Sequence, residues 1–328
     1  MEKLKILSLS SLLRKQFPES KWLVEKLVPE SGLVLMTAAP SSFKTWLALE
    51  IGLCVADGQT LFGVFRTNKG NVLICDEESG DRMLQDRFKK LGAKIPENPW
   101  DEKQIYYLSR IGRFMDDKYV EELLAECREH DIKLIIFDSL TRFHIAKEND
   151  SVEMAKILNF FKMLNDNGIA TLILHHNRKS SSSGGYSGGG EMVRGSSDIL
   201  ASCDVHISIT RREKERKITI SQTKNRYMEE IKPFSVQLQV LNEKRSQFEY
   251  LGEDNDKENQ MIELKVIVLQ EVAKNPGINK SQLISSISND YDGFRKNRIS
   301  IAINDLISEE KLKTEQGLKN SVQLYINE

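Results

Sequence analysis

Residues Leu33 to Ala38 form a short apolar run. It enters a seven-residue loop ending in Lys44-Thr45, and an amphipathic stretch, Trp46 to Ala56, follows without a break. A strand that turns directly into a helix points to an alternating α/β chain, with the strand buried in a sheet and the helix covering one face. Ala39, Pro40, Ser41, Ser42, Phe43, Lys44, Thr45 and Trp46 then occupy the place where a P-loop cradles phosphates. Backbone N–H groups and the positive end of the helix face an anion there. Lys44 would reach the β- and γ-phosphates of a nucleotide, and the Thr45 hydroxyl would hold Mg²⁺.

The loop departs from the pattern G-x-x-x-x-G-K-[ST] at both glycines, which are Ala38 and Phe43 here. Glycine is favoured at those positions because the backbone bends sharply and comes close to the phosphates. Taken by itself, the loop is also readable as an Ala/Ser-rich turn that only joins a strand to a helix. Other segments weigh against that bland reading. Asn71 to Cys75 is a second apolar run and ends in Asp76-Glu77-Glu78. Leu134 to Phe137 ends in Asp138-Ser139, and Thr171 to Leu174 ends in His175-His176-Asn177-Arg178. In open α/β sheets, ligands bind outside the carboxyl ends of the strands, so these polar ends would converge beside the loop.

Phosphoryl-transfer chemistry assigns the roles, because positioning and charge stabilisation dominate it. Asp138 is the Walker B carboxylate that would order Mg²⁺, directly or through water. Glu77 or Glu78 would polarise the attacking water, and side-chain alternation lets one of the pair face the site. His176 would sense the γ-phosphate, with His175 pointing elsewhere. An adjacent His pair without Cys or carboxylate spacing is weak evidence for zinc.

Several fragments resemble the RecA-like ATPases around the plasmid replicative helicase RepA, and more distantly the DnaB-type hexameric helicases. They are Phe137-Asp138-Ser139-Leu140-Thr141-Arg142-Phe143-His144, Leu174-His175-His176 and Arg194-Gly195-Ser196-Ser197-Asp198, within a resemblance running from Trp22 to Leu241. The resemblance implies ATP and Mg²⁺ as cofactors, with Lys44, Thr45, Asp138 and His176 at the nucleotide site. It selects Glu78 as the catalytic glutamate. It also gives meaning to Lys224-Asn225-Arg226, which follows the alternating run Lys217 to Thr223. Lys224 and Arg226 would reach the γ-phosphate held by a neighbouring subunit, so a homo-oligomer, a hexameric ring, would share each active site. A solvated basic turn is the plain alternative for this pair.

Ser180 to Gly190 is almost entirely Gly and Ser and cannot build a core. In the family that position carries a DNA-contacting loop facing a central channel. Arg178, Lys179 and Arg194 would neutralise phosphates of single-stranded DNA, and Tyr186 would stack on a base. Arg142 to Asp150 is a second channel-loop candidate.

The expected fold class is thus α/β, a RecA-like P-loop NTPase core with a small C-terminal winged helix-turn-helix domain. The expected segments are a lead-in (1–30), the ATPase domain (31–252), a polar linker (253–260) and the winged helix (261–328). Three helical stretches, Met261 to Ala273, Lys280 to Ile287 and Phe294 to Lys311, precede strand-like Leu312 to Thr314 and Val322 to Ile326. The third helix would enter a duplex major groove with Arg295, Lys296 and Arg298 near its start, and Lys311, Lys313 and Lys319 would lie near the wing. Packing against other protein is the competing use of such a domain.

With 328 residues and a net charge of −1, any DNA contact must rest on local basic patches. The four scattered cysteines, Cys54, Cys75, Cys127 and Cys203, read as reduced thiols. No apolar run approaches the ~20 residues that span a bilayer, and the N-terminus shows no signal-peptide core. A cytoplasmic protein is therefore expected. Two functions stand at this point: a DNA-dependent ATPase motor, a ring-forming replicative helicase of a small replicon, and an ATP-switched DNA-binding regulator or adaptor with little turnover.

Overall fold

The computed structural model describes residues 6, 8–16, 21–93, 105–177, 193, 197–211, 215–254, 256–291, 294–316 and 321–327. The chain divides into two compact units, Met1–Glu253 and Asp254–Glu328.

The first unit opens with a short helix, α1 (Leu9–Leu13), and an antiparallel ribbon of β1 (Trp22–Val24) and β2 (Val28–Pro29). Strand and helix then alternate through β3 (Leu33–Ala38), α2 (Lys44–Asp57), β4 (Asn71–Asp76), α3 (Asp81–Lys90) and β5 (Ile105–Ser109). The alternation continues with α4 (Asp117–Glu129), β6 (Ile132–Asp138), α5 (Ser151–Asp166), β7 (Ala170–His176), α6 (Ser197–Ser202) and β8 (Val205–Arg211). An antiparallel run closes the unit: β9 (Lys217–Asn225), β10 (Phe234–Asn242) and β11 (Arg245–Glu253). The resulting sheet has nine strands in the order β11-β10-β9-β8-β3-β7-β6-β4-β5. From β8 to β5 all neighbours are parallel, so the sheet is large and mostly parallel, with the antiparallel β9, β10 and β11 along one side.

Side-chain alternation along these strands feeds two separate apolar layers. Val34, Met36, Val72, Ile74, Leu134, Ile136 and Leu172 pack on one face with α2 and the ribbon residues Leu23, Val24 and Val28. Leu33, Leu35, Leu73, Cys75, Ile135, Phe137 and Ile173 pack on the other with residues of α4 and α5. Phe137 meets Phe143 and Phe161 edge-on at 5.1 and 5.0 Å, which anchors the chain just beyond Asp138. Asp116 and Asp150 cap α4 and α5 by accepting hydrogen bonds from first-turn N–H groups.

The second unit holds α7 (Asp256–Lys274), β12 (Ile278–Asn279), α8 (Lys280–Asp290), α9 (Lys296–Ser308), β13 (Leu312–Gln316) and β14 (Val322–Ile326). Its antiparallel sheet has the order β12-β14-β13. Leu264, Val268, Leu283, Ile287, Ile299, Ile303, Leu306 and Leu324 form its own core.

Two expectations shift. The segment 1–30 is no mere lead-in, because β1 and β2 bury apolar side chains in the core of the first unit. Nor is 253–260 a free linker: β11 runs to Glu253, and α7 starts at Asp256. Strand β5 and the β10–β11 hairpin were not singled out in the sequence. All four cysteines are buried thiols outside any disulfide. Among the described residues, no helix is long and apolar enough to cross a membrane.

Helix α2 carries one titratable group with a consequence for stability. Burial pushes the Glu50 carboxyl from 4.5 up to about 7, against an opposing pull from Arg245. The folded state therefore holds this proton more tightly than the unfolded chain. Stability from it is complete below pH 4.5 and is lost as pH rises through about 7. Thermal unfolding across that window should show a falling Tm that Glu50→Gln flattens, with a difference in slope of at most about 1.4 kcal/mol per pH unit.

Candidate functional site

The parallel register sets the carboxyl ends of four strands level. Ala38 of β3 pairs with His176 of β7, Asp138 of β6 pairs with Leu174 of β7, and Asp76 of β4 pairs with Asp138. Each polar strand end therefore opens into the same crevice as the loop that starts α2.

Ala39, Pro40 and Ser41 are exposed there, Ser42 is buried, and Phe43, Thr45 and Trp46 are half-buried. Lys44 is buried, and its ammonium donates to the His175 carbonyl at 3.1 Å and lies 3.5 Å from His176 Nδ1. Burial lowers its pKa, while the carboxylates of Asp138 and Glu78 pull the other way. Thr45 donates its hydroxyl to Asp138 Oδ2 at 2.7 Å. Burial lifts the Asp138 carboxyl to about 6, although the Thr45 bond and Lys44 oppose that rise.

The two adjacent glutamates separate. Glu78 accepts from the Ser139 hydroxyl at 3.0 Å and lies 3.7 Å from His176 Nε2. The His176 imidazole beside it is the main cause that holds Glu78 down at about 2, so it stands ionised. Glu77 turns away and accepts from the backbone N–H groups of Ile111 and Gly112 at 2.9 and 3.2 Å. Of the two candidates for polarising water, only Glu78 faces the crevice; Glu77 is corrected to an anchor between the β4 and β5 ends. His176 thus stands between Lys44 on one ring nitrogen and Glu78 on the other.

Sequence reasoning missed the braces of this arrangement. Asp76 accepts from the N–H groups of Glu78 and Ser79 at 2.9 and 2.8 Å, which folds the loop back over the strand end. Arg110 donates to the carbonyls of Glu78 and Ser79 at 3.0 and 3.1 Å. The identity of Asp76 was a legible signal, since Asp favours such turns; Arg110 had none, because it comes from the chain just past β5, a strand the sequence did not mark.

Mg²⁺ fits the donor set. Asp138 Oδ1 and Asp76 Oδ2 are buried carboxylate oxygens without a hydrogen-bond partner among the described residues, and the Thr45 hydroxyl adds another hard oxygen. Among the described residues, no group of three or more His, Cys, Asp or Glu side chains forms a metal cage. A cation here would need phosphate oxygens to complete its shell, as Mg²⁺ does in P-loops.

Lys224 and Arg226 lie at the opposite end of the sheet. Asn225 pairs with Val205 at the start of β8, whereas Arg211 at its end donates to the loop carbonyl of Ser41. Lys224 donates to the carbonyls of Leu200 and Ala201, and Arg226 to the Ala201 carbonyl at 2.7 Å and Asp204 Oδ1 at 3.2 Å. The proposed DNA residues Arg178, Lys179, Tyr186 and Arg194, and Lys319 of the second unit, lie outside the described residues. Arg295 and Lys296 are exposed at the start of α9, and Arg298 is half-buried one turn further in.

A parallel-rich α/β sheet with a lysine-threonine loop at its carboxyl edge defines a P-loop core. An AAA domain model matches residues 2–182, more than half of the chain, and the chain belongs to the AAA domain family. The matched span contains Lys44, Thr45, Glu78, Asp138 and His176. The chain is also similar to a solved DnaB-like replicative helicase described together with its interactions with primase. The TM-score is 0.49 at 14% identity, over 73% of this chain and 66% of that one.

The divergence of the two glutamates has separable consequences. Glu77→Gln should lower stability by ~1 kcal/mol in urea unfolding, through weakened bonds to two backbone N–H groups, and should leave ATP turnover in place. Glu78→Gln should do the reverse, retaining Mg·ATP binding while hydrolysis fails. A dead Glu77→Gln and an active Glu78→Gln would reverse the assignment.

Proposed function

We propose that this protein is a DNA-dependent ATPase motor, a ring-forming replicative DNA helicase of a small replicon that hydrolyses ATP at subunit junctions. The observation that carries the ATPase part of this reading is the arrangement of Lys44, His176 and Glu78 beside Thr45 and Asp138. A nucleotide switch needs phosphate binding alone, whereas an ionised glutamate tied to a histidine on the sensor strand is hydrolytic apparatus.

In this mechanism the loop N–H groups and Lys44 bind the β- and γ-phosphates. Thr45 and Asp138 would hold Mg²⁺, which would supply positive charge to offset that of the phosphates. Glu78 orients and polarises the attacking water, with Ser139 and His176 holding the carboxylate in place. His176 links the carboxylate to Lys44, so a change at the phosphate is felt at Glu78.

Arg226 supports the shared site. It stands at the far end of the sheet from its own loop, with its side chain 51% exposed. It lies away from the phosphate held by its own chain, and reaching a neighbour's would exchange its bonds to Ala201 and Asp204 for the phosphate. DNA in a central channel would meet Arg178, Lys179, Tyr186 and Arg194. The second unit, three helices with an antiparallel sheet, is read as a winged helix that presents Arg295, Lys296 and Arg298 to duplex DNA.

Mixing two inactive variants tests the shared site. Arg226→Ala should bind ATP yet lose ~10³–10⁵ in rate, the range for an arginine finger supplied in trans, and Lys44→Ala should lose hydrolysis together with tight ATP binding. Combined, the two should recover part of the activity, because a junction can pair an intact loop with an intact finger. A self-contained site gives no recovery, and a monomer hydrolysing at full rate ends the ring reading. Little turnover in the wild type, with or without single-stranded DNA, would favour the regulator instead.

For the second unit, Arg295→Ala with Lys296→Ala in the full chain should weaken duplex binding and flatten its salt dependence, by roughly 0.9 per lost phosphate contact. An unchanged salt slope would make this unit a protein-contact module.

A further inference from the structure

Two residues of the phosphate loop hold a backbone conformation that glycine takes readily and side-chain-bearing residues resist. Ser41 has φ 61° and Phe43 has φ 59°. Phe43 also stands at the N-cap of α2, where its side chain makes no capping hydrogen bond to the first turn. Neither residue explains by itself why the loop keeps this shape.

Arg211 supplies the explanation from outside the loop. It is the last residue of β8, the strand next to β3, and the register Ile209 to Ala38 brings it beside the loop. Its guanidinium carbon lies 4.2 Å from the centre of the Phe43 ring, within cation–π range. Its Nη1 donates to the Ser41 carbonyl, and its Nε donates to the Glu215 carbonyl, which steadies the guanidinium from behind. One planar group therefore touches both left-handed residues at once. A lysine has a single donor head and no plane to stack, and could not do both.

We propose that Arg211 is a positioning residue of the nucleotide site, bracing Ser41 and Phe43 so that the loop N–H groups point at the phosphates. It takes over from outside what glycine provides by its own freedom in a Gly-rich loop. The brace acts on the phosphate cradle, so it serves nucleoside triphosphates whatever their base. This inference rests on the ATP-site reading above.

The test measures dissociation constants of Mg·ATP and Mg·GTP for the full-length wild type, Arg211→Ala, Arg211→Lys and Arg211→Ala combined with Ser41→Gly and Phe43→Gly. Arg211→Ala should weaken both nucleotides by the same factor, about tenfold, and Arg211→Lys should behave nearly as badly. The triple variant should return to within about twofold of wild type, because glycine needs no brace. A merely structural role predicts no such rescue.

The proposal is overturned if the triple variant binds no better than Arg211→Ala, or if Arg211→Ala binds as well as wild type. It is equally overturned if the loss is confined to one base, since Arg211 would then contact the base itself. Should Arg211→Ala not fold, the same comparison runs on Arg211→Lys with and without the two glycines. A wild type that binds neither nucleotide fails the ATP-site reading itself, before any variant is compared.

Discussion

The parallel hydrogen-bond register among β3, β7, β6 and β4 is the constraint on which the candidate site depends. A shift of one residue in any strand would turn its end group to the other face of the sheet. Asp138 would then leave Thr45, or His176 would leave Lys44. The register is itself held by the apolar alternation that fills two layers, since Ile135 and Phe137 belong to one face and Leu134 and Ile136 to the other. Core packing and site geometry are one arrangement here.

Within that frame the site gathers charge where water is scarce. Lys44 and Asp138 are buried, and each is pushed toward its neutral form by burial and pulled back by the other. Two buried carboxylate oxygens, on Asp76 and Asp138, stand without partners among the described residues. A cradle of this kind gains from a bound anion and a cation together, because each would satisfy polar groups that are expensive to bury without partners. Supporting contacts surround it: Asp76 and Arg110 hold the backbone around Glu78, Arg211 lies against the loop, and the Phe137–Phe143–Phe161 cluster packs under the end of β6.

Much of this was legible from residue types. The lysine-threonine loop, the acidic ends of two apolar runs and the histidine pair on a third are local patterns, and local patterns are written in neighbouring residues. Glu77 and Glu78 show where that legibility stops. Alternation says that adjacent side chains diverge, and it is silent about which of them meets Ser139 and His176. Ser139 lies 61 residues further along the chain, and its hydroxyl on Glu78 is what distinguishes the two.

The sequence by itself determined the alternating α/β class, the phosphate-loop segment and the strand ends that carry polar groups, because each follows from periodicity and residue chemistry over a few positions. Only the tertiary structure decided which glutamate faces the crevice, that Arg226 stands at the far end of the sheet from its own loop, and that Arg211 braces a loop without glycines. Those three depend on strand order and register, which set residues from distant parts of the chain side by side. No local pattern encodes such neighbours, and burial of both faces of one sheet fixes them all together.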